Sequence, residues 1–346
     1  MLLDLLGIDL PIIQAPMAGT SSPAMAAAVA DAGALGSIGV GATNAAGMRK
    51  MVAEIRQRSN RPFNVNLFCH QPPKPDAARD AAWIETLRPH FAKFGAEPSK
   101  TLTEIYKSFV EDDEMLAALL EERPKVVSFH FGLPSAAKIK ALRDAGIILL
   151  GSATNPAEAK IVQEAGIHAV VAQGYEAGGH RGIFDPEAED GRLGTMALTR
   201  VLARELSVPV IAAGGIMDGA GIAAALKLGA EAAQLGTAFI ACPESLADEG
   251  YRAALMSEAA HRTTMTAAIS GRPARCLANR FTVVPQTGIA AYPRAYDIGK
   301  QLNAAAKAKG DFGYGAQWAG QGAPLARSLP AGELVKVLAK ELAESI

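Results

Sequence analysis

The densest group of side chains able to do chemistry lies at residues 173–182, QGYEAGGHRG, where Gln173, Glu176, His180 and Arg181 sit among Gly174, Gly178, Gly179 and Gly182. Glycines open the left-handed backbone region and remove the Cβ, so such a segment can turn tightly and present an imidazole at a pocket mouth. Near neutral pH that imidazole can serve as general base or as an uncharged hydrogen-bond donor. Arg181 reads first as a loop-holding residue and second as an electrostatic helper. Of the six histidines, His180 is the candidate catalytic residue. His130 ends an apolar run and is its rival, a candidate for lining the pocket. His70, His90 and His261 fall in helical or loop stretches without glycine framing, and His168 precedes a strand.

Two further segments could hold an anion. VPVIAAGGIMDG contains Gly214 and Gly215, and AAQLGTAF contains Gln234, Leu235, Gly236 and Thr237. Glycine backbone can approach an anion closely, and Thr237 adds a hydroxyl donor. AAGG alone reads equally well as a tight turn. The two segments together, following the last two strands of a barrel, read as a phosphate site. Gln234 offers a neutral amide to a bound ring. Pro16-Met17-Ala18-Gly19 forms a compact loop after the first strand, and by itself is a hydrophobic turn. Asn66, inward in FNVNLF, needs partners that either a ligand or neighbouring backbone can provide.

Other chemistries find no support. HExxH and GxSxG are absent, and no His/Asp/Glu cluster suggests a metal. The loose glycine pattern in GSIGVG lacks a dinucleotide-binding context.

These residues need a scaffold. Apolar runs at 11–15, 34–38, 63–67, 125–129, 147–150, 169–172, 210–213 and 232–235 read as strands buried on both faces. Helical segments alternate with them, opened by Ser22-Pro23, Asn44, Asn155-Pro156 and Asp218 and closed by Gly33, Gly146, Gly166 and Gly229. Eight strands alternating with helices predict an α/β TIM (β/α)8 barrel with a smaller helical substrate-binding insertion. The barrel is assigned to 1–237 with 330–346, interrupted by a long helical insertion at about 70–124. Residues 238–329 form a lid insertion, in which Tyr292, Tyr296, Tyr314 and Trp318 are candidate pocket walls. The last segment, with Leu334, Val337, Leu338 and Leu342 on one face, reads as the closing helix.

Composition narrows the class. Over 346 residues, 34 Lys+Arg balance 35 Asp+Glu, and 49% of residues are hydrophobic. There is no basic stretch for nucleic acid and no bilayer-length apolar run. Three separated cysteines give no disulfide framework, and MLLDLLGIDLPII lacks a basic leader region; a cytoplasmic enzyme is expected.

QAPMAG at 14–19, NVNLF at 64–68, QGYEAGGHRG at 173–182, AAGGI at 212–216 and QLGTAF at 234–239 together resemble the nitronate monooxygenase family, formerly called 2-nitropropane dioxygenases. GYEAGGHRG and the late WAGQ are most similar to its class I. The resemblance spans nearly the whole chain in order. It implies non-covalent FMN held by Asn66, Gln173, Gly178, Gly215 and Gln234 to Thr237, with Met17 by the isoalloxazine ring and His180 as catalytic histidine. It further implies oxidation of alkyl nitronates, such as propionate 3-nitronate, by O2 to a carbonyl compound and nitrite. A related FMN barrel that uses NAD(P)H, a quinone or enoyl-thioester reductase, is the alternative, and a flavin-binding barrel without turnover is a second. Oligomeric state is open.

Overall fold

Residues Met1–Ser345 are described by a computed structural model. Each predicted apolar run becomes a strand: β1 (Ile12–Gln14), β2 (Gly36–Gly39), β3 (Phe63–Phe68), β4 (Val126–His130), β5 (Ile148–Ala153), β6 (Ala169–Gln173), β8 (Val210–Ala213) and β9 (Ala232–Leu235). A short β7 (Gly179–His180) lies outside this set, with β10 (Thr263–Thr266) and β11 (Ala274–Leu277). The eight barrel strands are joined by seven parallel pairings, in the order β1-β9-β8-β6-β5-β4-β3-β2. The Gln14 N–H donates to the Leu35 carbonyl at 2.9 Å, and a parallel bridge joins Ile13 to Leu35, closing the barrel.

Local sequence explains the helices between them. Ser22, Asn44, Ser135, Asn155 and Asp218 each accept a backbone N–H from their helix's first turn. Each such cap is worth about 1 kcal/mol. Gly33, Gly146, Gly166 and Gly229 all lie at positive φ beyond helix ends, where a Cβ would be strained. The final helix, Ala331–Ser345, buries Leu334, Val335, Leu338 and Leu342 against helices Pro23–Asp31 and Gly219–Lys227. Val335 therefore takes the buried place expected of Val337. The barrel interior is filled by Ile13, Leu35, Val126, Leu150, Val171 and Ile211, joined by Leu2 and Leu6 of an N-terminal helix, Leu2–Leu6.

The connection at 70–124 divides in two. Helix Asp113–Glu122 packs on helices Ala45–Arg58 and Ala136–Asp144 in the barrel's outer ring. Helix Ala77–Ala92 instead packs on helix Arg294–Lys307 of the late segment. Trp83, Leu87 and Phe91 share one apolar cluster with Phe281, Ile298, Leu302 and Tyr314, and Asp80 pairs with Arg294 at its rim. Two stretches more than a hundred residues apart thus bury each other's apolar faces, which neither could bury alone.

Candidate active site

A cavity of about 1320 Å³, open solvent at its mouth included, lies at the carboxyl ends of the strands. Ala15, Asn66, His130, Ser152, Gln173, Ala213 and Gln234 line it from the barrel; Tyr251, Tyr292, Tyr296 and Trp318 line it from the late segment.

His180 is not carried on a free glycine loop. It belongs to β7, which pairs antiparallel with β11, His180 opposite Ala274. The glycines around it serve close packing. A Cβ on Gly178 would come 2.5 Å from the Gly320 nitrogen, and one on Gly320 would come 2.7 Å from the Glu176 carbonyl. The His180 carbonyl is held from the barrel, accepting from Gln173 Nε2 at 3.0 Å and from His130 Nε2 at 3.2 Å. Its ring is boxed by Trp318, Tyr292, Phe131 and Tyr296, with centroids 5.0, 5.5, 5.6 and 6.0 Å away.

This enclosure sets the charge state. Burial, with smaller contributions from His130, Arg272 and His70, pushes His180 down to about 3. Burial likewise lowers His130 and His70 to about 4. All three imidazoles are therefore neutral at pH 7. Arg272, 3% exposed, spreads its guanidinium over the Phe131 ring at 4.4 Å and donates to the Ile183 carbonyl. It forms no salt bridge among the described residues. Burial lowers it to about 10, so it is a cation at neutral pH.

The expected anion segments meet at the same rim. Gly214 and Gly215 have φ of 121° and 72°. Their N–H groups, and that of Gly236, donate to no other protein group among the described residues. Thr237 Oγ1 accepts from the Gly320 N–H at 3.0 Å, which leaves its own hydrogen to give. The Gln234 amide lines the cavity without a protein partner, whereas Asn66 Nδ2 is engaged by Ser128 Oγ at 2.9 Å. Met17 lines the cavity beside Gly236.

Some expected residues are placed otherwise. Tyr314 lies outside the cavity in the apolar cluster of the two extra segments, its hydroxyl on His90 Nδ1 at 2.9 Å. Leu235 points outward, because β9 alternates and Gln234 takes the inward position. Gln173 lines the cavity, but its amide is occupied by the His180 carbonyl and, at 2.6 Å, the Gly182 N–H. Arg181 is a loop clamp, 2% exposed, bound to Asp190 at 2.7 and 3.0 Å. Tyr106 and Tyr251 line the cavity unannounced by any local pattern.

These features describe an α/β barrel whose cavity at the carboxyl ends of its strands combines unpartnered backbone N–H donors with an uncharged histidine in an aromatic box. The family model for nitronate monooxygenase matches residues 1–341. A nitronate monooxygenase of Paraburkholderia phytofirmans is 65% identical, the match covering 100% of this chain and 95% of that protein. One from Pseudomonas aeruginosa is 55% identical, with 98% and 97% covered. Among solved structures, a nitroalkane oxidase from Streptomyces ansochromogenes superposes with a TM-score of 0.92 at 44% identity, covering 99% of this chain and 98% of that one. The chain belongs to the nitronate monooxygenase family and is an oxidoreductase.

Proposed function

We propose that the enzyme oxidises alkyl nitronates with O2 to a carbonyl compound and nitrite, using FMN bound at the β8 and β9 rim. The observation that carries this reading is the convergence of the free Gly214, Gly215 and Gly236 amides with the Thr237 hydroxyl and the unpartnered Gln234 amide on one cavity. These donors fit a phosphate at one end and a hydrogen-bonding ring at the other. Gly178 and Asn66 border the same space, and Met17 supplies an apolar contact for the ring. When bound, FMN supplies the redox chemistry.

The chain's residues do the rest. The buried Arg272 cation gives the pocket a positive potential that favours an anionic nitronate. The rings of Tyr292, Tyr296 and Trp318 exclude water and confine the substrate above the barrel mouth. His180, neutral and held by its carbonyl, orients the substrate and can accept an α-proton where a neutral nitroalkane enters. The segment 238–329 forms the substrate-side wall over the FMN barrel.

The test is oxygen uptake by purified, FMN-loaded protein given propionate 3-nitronate without nicotinamide. Uptake with nitrite release supports the reading. No uptake, together with anaerobic flavin bleaching by NADH or NADPH, overturns it in favour of a reductase.

A further inference from the structure

The hairpin turn between β10 and β11 carries a residue that acts on His180. The pairing of His180 with Ala274 brings the start of β11, and the turn before it, alongside the imidazole. Gly271 pins that turn at a φ of 92°, with its N–H on the Ala267 carbonyl at 2.8 Å. Ser270, fully buried, thereby comes to lie with its Oγ 2.8 Å from His180 Nε2. The same Oγ is 3.2 Å from the Arg272 carbonyl and 3.4 Å from the Arg272 N–H.

A serine hydroxyl has one hydrogen, and a carbonyl can only accept. The Arg272 carbonyl has no other donor among the described residues. If Ser270 gave its hydrogen to His180, that buried carbonyl would be left without a donor, which is costly. If Ser270 gives it to Arg272, every group is satisfied: the Arg272 N–H and the His180 Nε2–H both donate to Oγ. Hydrogen-bond accounting therefore settles the histidine's proton.

We propose that Ser270 is a positioning residue that holds His180 in the Nε2–H tautomer, leaving the Nδ1 lone pair as the ring's reactive nitrogen. Nδ1 makes no hydrogen bond within the protein among the described residues. The remaining titratable or charged groups near the ring are His130, His70, Arg272, Tyr292 and Tyr296, none of them a carboxylate that would draw the proton to Nδ1. Neutral His180 thus meets its ligand as an acceptor, and holds an anionic oxygen as a donor only after Nδ1 has gained a proton. The consequence for turnover rests on the nitronate reading above; the tautomer itself does not.

The experiment is 15N NMR of the purified protein labelled at histidine, at pH 7, with His180→Asn used to assign the His180 signals. The expected result is a protonated-type shift for Nε2 and an unprotonated-type shift for Nδ1. Ser270→Ala should move both toward the average of mixed tautomers, and Ser270→Thr, which keeps the hydroxyl, should retain the wild-type pattern. In steady-state assays Ser270→Ala should lower kcat/KM for a neutral nitroalkane, whose α-proton Nδ1 accepts, about tenfold, the scale of one oriented hydrogen bond, with flavin content unchanged and Ser270→Thr restoring most of the rate. An Nδ1–H tautomer in the wild-type protein overturns the proposal, whether or not Ser270→Ala folds. So does a Ser270→Ala protein with wild-type shifts and rate. If the shifts behave as expected and no nitronate is consumed, the positioning role stands and the reading of the reaction falls.

Discussion

The ring of His130, at the end of β4, donates from Nε2 to the main-chain carbonyl of His180 at 3.2 Å. A carbonyl only accepts, so His130 carries its proton on Nε2, and its Nδ1 accepts from Ser152 Oγ at 3.0 Å. One barrel histidine thus fixes the backbone of the other, while the hairpin serine holds its ring.

Replacing His130 with Phe should retain flavin, because Gln173 still holds the His180 carbonyl. It should lower kcat/KM for nitronate about tenfold through loss of one oriented hydrogen bond. Steady-state oxygen uptake checks this; an unchanged kcat/KM would show that Gln173 suffices.

His180→Asn should leave the flavin-to-protein ratio at the wild-type value and cut kcat/KM for a neutral nitroalkane by about 100-fold or more, the range of a removed proton-transfer group. Unchanged turnover would remove His180 from the mechanism.

Gly215→Asp should expel the flavin. The position has a φ of 72°, and a Cβ there would come 3.2 Å from Glu176 Cβ, so the substitution adds strain as well as a carboxylate facing the phosphate. The absorbance ratio of purified protein reads the outcome, and a fully yellow variant would displace the phosphate from this rim.

Acid should destabilise the protein earlier than its carboxylates alone would. Burial holds His70 and His130 at about 4 and His180 at about 3, against an ordinary 6.5. The unfolded chain therefore binds these protons first. The stability associated with the neutral rings is whole above pH 6.5 and is lost as pH falls from there toward 4, at about 1.4 kcal/mol per pH unit for each histidine. Urea midpoints at pH 7.5, 6 and 5 should fall in that order, and His130→Gln should flatten the fall. A midpoint independent of pH across this range would contradict the buried, neutral assignment.

Asp190→Asn should cost about 3 kcal/mol, because it strands the buried Arg181 guanidinium without its counter-charge. A urea midpoint within error of wild type would show that the carbonyls of Gln173 and Thr154 satisfy Arg181 unaided.

Period and punctuation made much of this protein legible in its sequence. Short runs apolar on both faces, bounded by turn residues, read as strands covered on both sides, and side chains such as Asn44 and Asp218 cap helices through bonds to residues three positions on. The eight strands, their helices and the rim glycines of β8 and β9 follow from such local rules. The framing of His180 was visible too, though its reason was not: those glycines admit the chain at 318–322 rather than free a loop. Leu235, grouped with Gln234 in the sequence reading, is turned away from the cavity by the alternation along β9.

Contacts between distant segments were decided by the tertiary structure alone. Tyr106 and Tyr251 reach the cavity from separate segments. Tyr314 does not, because helices Ala77–Ala92 and Arg294–Lys307 bury each other's apolar faces around it, and that mutual burial has no signature in either segment. Ser270 is one serine among many until β11 pairs with β7 and sets it 2.8 Å from His180. Short-range hydrogen bonds and side-chain periodicity are written residue by residue along a chain. Which proton sits on which nitrogen depends on donors and acceptors ninety residues apart, and only the closed fold brings them within reach.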